Sequence, residues 1–339
     1  MEYCNSHAYE NKIASDIIPS MRYSENTDFK QWQKDARAKL NELLGLPLKK
    51  CDDKFEIKSE NICSDYIQKD FEFQSEEGYF VPCSILIPKN ISKPIPVSIC
   101  LQGHSTGMHI SLGISKYKGD DKSIAGGRNF AVRAVKEGYC AVTLEQRYMG
   151  MCGHDEETGK PSCCTDNAAL NALLIGRTAI GERVWDISRL IDVIEKYFSG
   201  YADCGKIICM GNSGGGTTTF YASCLDERIH LAMPSCSVCT YDDSIMAMMH
   251  CCCNFIPGMR KYFDMGDLGG LIAPRKFIMV SGINDQIFPI DASEKTYKMI
   301  ESFYDKFGNK DFCHFIKGNA GHQFYPDEAW PVVNAVIHK

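Results

Sequence analysis

The chain has 339 residues, of which 44% are hydrophobic and 24% charged, and its formal net charge at pH 7 is −6. A chain of this length buries roughly three-quarters of the surface that it exposes when unfolded, so its core needs no disulfide or metal for stability. The negative charge argues against nucleic acids and anionic membranes as partners, because both attract basic surfaces.

The 18 cysteines are many for a chain of this length. Residues 1–19 are charged and polar throughout and lack the apolar run of a signal peptide. Nowhere does the sequence approach the ~20 consecutive apolar residues of a membrane span. We therefore predict a cytoplasmic protein whose cysteines are mostly reduced and serve as small buried hydrophobic residues. A disulfide framework is the alternative.

Residues 1–60 predict a helical extension of the main domain. Between residues 27 and 44 apolar side chains recur near helical spacing, with Thr27 as the N-cap. Gly45 lies where a left-handed C-terminal residue belongs, and Pro47 blocks continuation. Because one face of this helix is apolar, we expect it to pack on the domain that follows.

Residues 65–88 predict an antiparallel hairpin. Phe71 and Phe73 alternate with charged residues, Glu76-Glu77-Gly78 supplies a turn, and the strand pattern then resumes.

Short apolar runs separated by helical patterns make up most of the remaining chain. Such runs are typical of strands buried on both faces, and the apolar spacing between residues 184 and 198 predicts a long helix. Strands alternating with helices predict a mostly parallel sheet with helices on both sides. The six runs are 96–101, 139–144, 206–210, 231–234, 277–281 and 313–317.

Two intervals interrupt this alternation, at about 149–169 and 237–270. The first is rich in Gly, Cys and charged residues, and the second in Met, Cys and Gly. We expect both to form loops or small cap elements over the carboxyl edge of the sheet, where open α/β folds bind ligands.

A candidate nucleophile lies in Gly211-Asn212-Ser213-Gly214-Gly215, between an apolar run and a helical pattern. A G-x-S-x-G sequence in this context is typical of a sharp turn that lifts a serine hydroxyl above the sheet. The helix N-terminus behind the serine favours developing negative charge. We predict that Ser213 is a nucleophile; a glycine-rich phosphate-binding turn is the alternative.

A serine needs a base to take its proton, and after such a turn the acid and then the histidine follow along the chain. Asp285 lies on the loop after the run 277–281, and His322 on the loop after the last run. Asp291 competes as the acid but falls in the first turn of the next predicted helix. Either residue alone is also typical of an exposed loop, but their order after Ser213 favours a catalytic role.

Acyl transfer also needs two donors that stabilise the oxyanion. We predict the backbone N–H of Gly214 as the first donor, because it follows the nucleophile. The second is expected from the loop 102–107, and we predict the backbone N–H of His104.

These motifs resemble those of the α/β-hydrolase branch that contains dienelactone-hydrolase-like and acetylxylan-esterase-like proteins. From about residue 71 onward the resemblance implies an α/β-hydrolase fold, the catalytic triad and an esterase activity. Gln102, Asn212 and Gly214 stand where many such proteins carry other residues, so the resemblance specifies the chemistry more closely than the substrate. The matching segments are 101–104, 211–215, the Asp285 loop and Gly321-His322, together with 145–150, which is similar to a stretch whose arginine and glycine shape the edge of the site.

The cysteines of the second interval support a rival hypothesis. Cys236 and Cys239 form a C-x-x-C pair, and His250 with the three cysteines 251–253 follows about a dozen residues later, which matches the spacing of structural zinc sites. A zinc ion bound by these residues would stabilise the second interval rather than take part in catalysis. Buried packing of the cysteines is the simpler interpretation.

Taken together, the sequence predicts a serine hydrolase with an extension at 1–60 and a catalytic domain at 61–339. It would cleave a small acyl ester, such as that of a sugar or a related alcohol, through an acyl-enzyme and without a cofactor or metal. A peptidase or thioesterase is the alternative within this chemistry. A non-catalytic or zinc-stapled binding protein is the alternative from another class.

Overall fold

The computed structural model describes residues 5–154, 161–162 and 166–339. The strands in this part of the chain are β1 (Glu56–Ile62), β2 (Tyr66–Glu76), β3 (Tyr79–Pro88), β4 (Ile95–Leu101), β5 (Cys140–Leu144), β6 (Gly150–His154), β7 (Pro161–Ser162), β8 (Ala202–Asn212), β9 (Ile229–Ser235), β10 (Lys276–Gly282) and β11 (Cys313–Gly318). The α-helices are α1 (Ser6–Asp16), α2 (Phe29–Leu44), α3 (Asp120–Ser123), α4 (Phe130–Lys136), α5 (Asp166–Leu174), α6 (Ala179–Tyr197), α7 (Gly214–Leu225), α8 (Met259–Tyr262), α9 (Met265–Gly269), α10 (Ile290–Lys306) and α11 (Pro326–Val336).

Nine of these strands form one sheet in the order β1-β2-β3-β5-β4-β8-β9-β10-β11. The pairs from β1 to β5 are antiparallel, including the predicted β2–β3 hairpin. All pairs from β5 to β11 are parallel. Each of the six apolar runs is a strand of this parallel part, so the predicted α/β architecture is confirmed.

Both faces of the parallel part are buried, as β8 illustrates. Successive side chains of a strand point to opposite faces of the sheet. Ile207 and Cys209 lie in the apolar cluster covered by α2, α6, α7 and α10, whereas Ile208 and Met210 lie in the cluster covered by α4 and α11. Because neither face meets solvent, these strands have no polar alternation and read as continuous apolar runs.

The predicted helix of the N-terminal extension is α2, which packs on the main core. Trp32 and Leu40 are buried in the same cluster as β8 and α6. The helix ends as predicted, with Gly45 in the left-handed region at φ 74°. Its N-cap is Asp28 rather than Thr27, because the Asp28 carboxylate accepts the backbone N–H of Gln31 at 2.8 Å.

The sequence pattern did not predict α1 and β1. Ala14 is the buried residue of α1, and β1 is exposed along most of its length, so neither element has an apolar periodicity to detect.

The two interrupting intervals are built differently. The first contains the β6–β7 ribbon and the start of α5, and part of it, 155–160 and 163–165, lies outside the described residues. The second consists of turns, a single-turn 3-10 helix (Cys252–Asn254) and the short helices α8 and α9. Among the described residues, no helix combines the length and the apolarity that a bilayer span requires.

Candidate active site

Ser213 occupies a strained turn between β8 and α7. Its backbone has φ 57° and ψ −124°, a left-handed conformation that side-chain-bearing residues rarely adopt. The turn is tight enough that a Cβ on Gly211 would lie 2.5 Å from the carbonyl carbon of Gly215, and a Cβ on Gly215 would overlap the carbonyl oxygen of Leu101. The N–H of Ser213 donates to the carbonyl of Ser235 at 2.8 Å, which fixes the turn to the end of β9.

Asp285 and His322 come together at the same edge of the sheet. They follow β10 and β11, which are adjacent and parallel, so both loops leave the sheet at its carboxyl end. The Nδ1 atom of His322 lies 2.8 Å from Oδ2 of Asp285. The other carboxylate oxygen accepts the backbone N–H groups of Ile287 at 2.8 Å and Phe288 at 3.1 Å.

These contacts keep Asp285 ionised. Burial by itself would raise the pKa of this carboxyl, but the hydrogen bond and charge of His322 and the two backbone donors outweigh it, so the pKa is lowered from its ordinary value. An ionised Asp285 favours the His322 tautomer that carries its proton on Nδ1, which leaves Nε2 as an acceptor. Asp291 lies in the first turn of α10, as expected.

The Nε2 atom of His322 is buried and has no hydrogen-bond partner among the described residues. The ring of Phe288 stacks on the imidazole with centroids 5.9 Å apart and an angle of 16°, which holds the plane of the ring. A ligand atom of His322 also lies within 4.8 Å of Cys236 Sγ. Because Cys236 directly follows Ser235, to which Ser213 is hydrogen-bonded, the histidine and the serine share this end of β9.

The loop after β4 lies directly on the Ser213 turn. A Cβ on Gly103 would lie 2.5 Å from the carbonyl oxygen of Asn212 and 2.9 Å from Cβ of Ser213. The ring of His104 is as close to the other side of the turn, since its Cε1 would lie 3.0 Å from a Cβ on Gly214. Gly214 is the first residue of α7, and the first N–H groups of a helix have no intrahelical acceptor. The structure therefore places His104 and Gly214, the two residues predicted to supply backbone donors, beside the Ser213 turn.

Two side chains after β5, whose roles the sequence did not predict, hold this loop in place. Gln146 donates from Nε2 to the carbonyl of Gln102. The Glu145 carboxylate accepts the backbone N–H of Met108 at 3.1 and 3.2 Å. Burial raises the pKa of Glu145 to about 7, although the backbone donors of Met108 and Met151 act in the opposite direction. The family resemblance indicates that the segment 145–150 shapes the edge of the site, but it does not specify these contacts.

Asp120 fixes the far end of the same loop. Its carboxylate accepts the Thr106 hydroxyl at 2.5 Å, lies 2.8 Å from Nε2 of His109, and accepts the backbone N–H groups of Lys116 and Tyr117 at 2.9 and 2.8 Å. Burial would raise the pKa of Asp120, but these donors outweigh it and lower the pKa to about 2. The ionised carboxylate thus connects several residues between 106 and 120 through hydrogen bonds.

Arg147 anchors the segment that follows β5. Its guanidinium donates to both carboxylate oxygens of Asp186 at 2.8 and 2.9 Å and to Glu76 at 2.7 Å, and it lies 4.0 Å from the ring centroid of Tyr79. Buried charges need such pairing. The network joins the segment after β5 to α6 and to the hairpin. An aspartate among the buried residues of α6 is the sequence signal that could have indicated it.

Both interrupting intervals contact residues next to the Ser213 turn. The methyl carbon of Met149, at the start of the first, would lie 2.9 Å from a Cβ on Gly214. Sγ of Cys253, in the second, lies 3.4 Å from Nε2 of His104. The predicted position of both intervals at the carboxyl edge of the sheet is confirmed for these residues.

The structure divides the cysteines of the rival zinc hypothesis. Cys236 lies against Asp285 and His322, while Cys251 and Cys253 lie with His104. Cys239 is buried in the main apolar cluster. The joint site of the rival hypothesis does not form among the described residues, because the two sets of ligand atoms belong to separate groups and Cys239 belongs to neither.

The cysteines of the sheet follow the prediction of buried thiols. Cys100, Cys140, Cys209 and Cys313 are buried and form no disulfide. Burial raises the pKa of each to about 12, which makes them unreactive.

Comparison with known proteins identifies relatives at the level of family and fold. A model of an Abhydrolase family matches residues 3–323. The chain is also 25% identical over 153 residues to a Bacillus subtilis (strain 168) protein named "Putative hydrolase YtaP", and this match covers 44% of the chain and half the length of that protein.

Solved structures with the same fold include several esterases. A "putative acetyl xylan esterase" from Bacteroides fragilis NCTC 9343 superposes with a TM-score of 0.76 at 18% identity, covering 94% of this chain and 83% of the other. A glucuronoyl esterase from Solibacter usitatus gives 0.69 at 15% identity, covering 95% and 99%. Acetyl Xylan Esterase 1 from Thermoanaerobacterium sp. JW/SL YS485 gives 0.56 at 16%, covering 93% of each chain. At these identities the likeness shows a shared fold.

Proposed function

Because this chain belongs to the Abhydrolase family, we propose that it is a serine carboxylesterase that removes a small acyl group from a carbohydrate or a related alcohol. The observation that carries the proposal is the Asp285–His322 pair, whose imidazole keeps a buried and unpartnered Nε2 at the edge of the sheet where the Ser213 turn lies. The structural neighbours named as acetyl xylan and glucuronoyl esterases support a carbohydrate ester as the substrate class.

In the first step, the hydroxyl oxygen of Ser213 attacks the ester carbonyl while Nε2 of His322 takes its proton. Asp285 holds the imidazole in the required tautomer and stabilises the cation that forms. The N–H groups of Gly214 and His104 donate to the oxyanion of the tetrahedral intermediate, and the N-terminus of α7 favours the same negative charge. Collapse of the intermediate releases the alcohol, which receives its proton from His322.

In the second step, water attacks the acyl-enzyme. His322 takes a proton from this water and returns it to Ser213 as the acid leaves. The same two backbone donors stabilise the second oxyanion. No step requires a group that the chain itself does not supply.

Crowding beside the nucleophile supports a small acyl group. The Met149 methyl carbon and the His104 ring both approach Gly214, at 2.9 and 3.0 Å from the position of a Cβ there. The space next to the predicted oxyanion donors is therefore narrow. An acetyl group needs little room on this side, whereas a long acyl chain would displace one of these side chains.

Labelling with a fluorophosphonate, together with hydrolysis of p-nitrophenyl acetate, butyrate and octanoate and of an acetylated monosaccharide, tests the proposal. We expect the wild type to be labelled and to prefer acetate, and Ser213→Ala to lose both labelling and turnover. Ser237→Ala, which removes a buried serine hydroxyl just after the end of the neighbouring strand β9, serves as the matched control and should keep both.

The other outcomes identify the alternatives. A labelled protein that turns over thioesters or peptides but none of these esters would be a thioesterase or a peptidase. A folded wild type that is neither labelled nor active would overturn the proposal and favour a binding protein.

A further inference from the structure

A group of metal-ligating side chains lies next to the candidate active site and has no part in the proposed mechanism. His104, Cys251 and Cys253 place one ligand atom each within 4.8 Å of one another. The Sγ atoms of the two cysteines are 3.2 Å apart, and Sγ of Cys253 is 3.4 Å from Nε2 of His104. These residues come from two loops at the carboxyl edge of the sheet and are separated by about 150 positions in the chain.

The spacing fits a tetrahedral Zn²⁺ ion. With Zn–S bonds of about 2.3 Å and Zn–N bonds of about 2.0–2.1 Å, tetrahedral angles place ligand atoms roughly 3.5–3.8 Å apart. The S···N separation of 3.4 Å is within about 0.2 Å of the value for that pair, and the S···S separation of 3.2 Å is about half an ångström shorter than the roughly 3.8 Å of two zinc-bound thiolates, a gap that a small side-chain rotation closes. Two thiolates and one imidazole form a ligand set that favours zinc, whereas magnesium and calcium favour oxygen ligands.

Two of the three ligand side chains are more exposed than the buried cysteines of the sheet. Cys100 and Cys209 are fully buried in the sheet. By contrast, His104 and Cys251 are partly exposed while Cys253 is 1% exposed, so an ion could reach the group from solvent on the side of His104 and Cys251. His250, a neighbour in sequence, is not in the group, because its Nδ1 lies 3.0 Å from the Asn254 side-chain amide.

We propose that His104, Cys251 and Cys253 are three ligands of one Zn²⁺ ion beside the candidate active site. The ion joins the second interval to the loop that follows β4. It also fixes the imidazole of His104, whose opposite edge lies over Gly214. The bound ion would hold the loop 102–107, which is predicted to supply an oxyanion donor, against the second interval. The site does not include Cys236 or Cys239.

Cobalt absorption and zinc calorimetry on the full chain, stripped of metal with a chelator and kept reduced, test this site without any ester. We expect Co²⁺ to produce thiolate-to-cobalt charge-transfer absorption and the intense visible bands of tetrahedral coordination, and Zn²⁺ to abolish both at one ion per chain. Because zinc binds thiolates, its binding should also release protons, which is measured as a dependence of the heat on the ionisation enthalpy of the buffer.

Variants assign the ligands. Cys251→Ser, Cys253→Ser and His104→Gln should each weaken zinc binding by at least about 100-fold, and the cobalt bands should lose intensity. Cys252→Ser, which changes the thiol between the two ligands, is the matched control and should bind like the wild type.

Two results would overturn the site: less than stoichiometric zinc on the reduced wild type, or equal losses in Cys252→Ser and Cys251→Ser. Since the readout is binding, a failure here leaves the esterase proposal untouched, and loss of phosphonate labelling leaves the zinc site untouched.

Discussion

The Nδ1 atom of His322 lies 2.8 Å from Oδ2 of Asp285, across the ends of two adjacent parallel strands. The other oxygen of the carboxylate is occupied by the backbone donors of Ile287 and Phe288, so the acid cannot rotate away from the histidine without losing two hydrogen bonds. This rigidity gives the pair the property that a general base requires, a fixed tautomer with Nε2 free to accept a proton.

Asp285→Asn should therefore lower the rate of catalysis and leave substrate binding almost unchanged. The variant keeps the shape of the side chain but removes its charge and can stabilise the wrong tautomer of His322, so we expect kcat for p-nitrophenyl acetate to fall by about 10³–10⁴-fold with little change in KM. Steady-state kinetics on purified protein measures both. Asp291→Asn, the first-turn acid of α10, should behave as the wild type. A loss below tenfold in Asp285→Asn would remove this residue from the mechanism.

Asp120 should make stability depend on pH in the acid range. Its folded-state pKa of about 2 lies below the ordinary value of 3.8, so its contribution is fully present above about pH 4 and is lost as the pH falls toward 2. We expect Asp120→Asn to lower the free energy of unfolding by about 1–3 kcal/mol at pH 6 and by progressively less below pH 4. Urea unfolding between pH 6 and pH 2 measures this difference. The exposed Asp121→Asn is the control, and a gap that stays constant with pH would contradict the assignment.

The stability contribution of Glu145 should depend on pH in the opposite direction to that of Asp120. Burial raises its folded-state pKa to about 7 from 4.5, so its contribution to stability is fully present below about pH 4.5 and is lost as the pH rises through 7. Glu145→Gln can still accept the Met108 N–H and has no charge to bury. The stability of this variant relative to the wild type should therefore increase between pH 5 and pH 8, by up to about 3 kcal/mol. Thermal unfolding in matched buffers provides the measurement, and a relative stability that falls over this range would show that Glu145 is ionised without penalty.

The parts of the fold that the sequence predicted are those where one physical demand acts on consecutive residues. Burial on both faces leaves residues 207–210 of β8 no polar positions, and the steric closeness of Gly211 to Gly215 admits no side chain. Chain order then located Asp285 and His322, since neighbouring parallel strands must end at the same edge. In α1 and β1 no such demand exists, and both were missed.

Contacts between distant segments were beyond the sequence pattern. Arg147 meets Asp186 on α6, and His104 meets Cys253 almost 150 residues later. Each of these pairs depends on how two loops or elements pack in space. The rival zinc hypothesis misassigned its ligands for the same reason: it grouped Cys236 with Cys251 by spacing along the chain, whereas Cys236 lies with Asp285 and His322 and Cys251 lies with His104 and Cys253.

The N-terminal extension should be indispensable for stability even though no residue of the proposed mechanism lies in it. Leu40 is completely buried against the cluster on one face of the sheet, so Leu40→Ala leaves a cavity and should cost about 2–5 kcal/mol. Lys30→Ala, on the exposed face of the same helix, should change the free energy of unfolding by less than about 0.5 kcal/mol. Denaturant unfolding distinguishes the two. If Leu40→Ala were as stable as the wild type, residues 1–60 would be an appendage that the domain 61–339 does not need.

Met149 should limit the length of the acyl group. Its methyl carbon is 2.9 Å from the position of a Cβ on Gly214, in the space next to the predicted oxyanion donors. Met149→Ala opens this space, and one or two methylenes in an apolar pocket are worth about 1–3 kcal/mol. We therefore expect the ratio of kcat/KM for p-nitrophenyl butyrate to that for acetate to rise by about tenfold or more. Met151→Ala, at an exposed position of the same segment, is the control and should leave the ratio unchanged. If Met149→Ala also left the ratio unchanged while lowering activity on both esters, Met149 would face the alcohol portion of the substrate, and the acyl group would occupy the side of the pocket formed by the second interval.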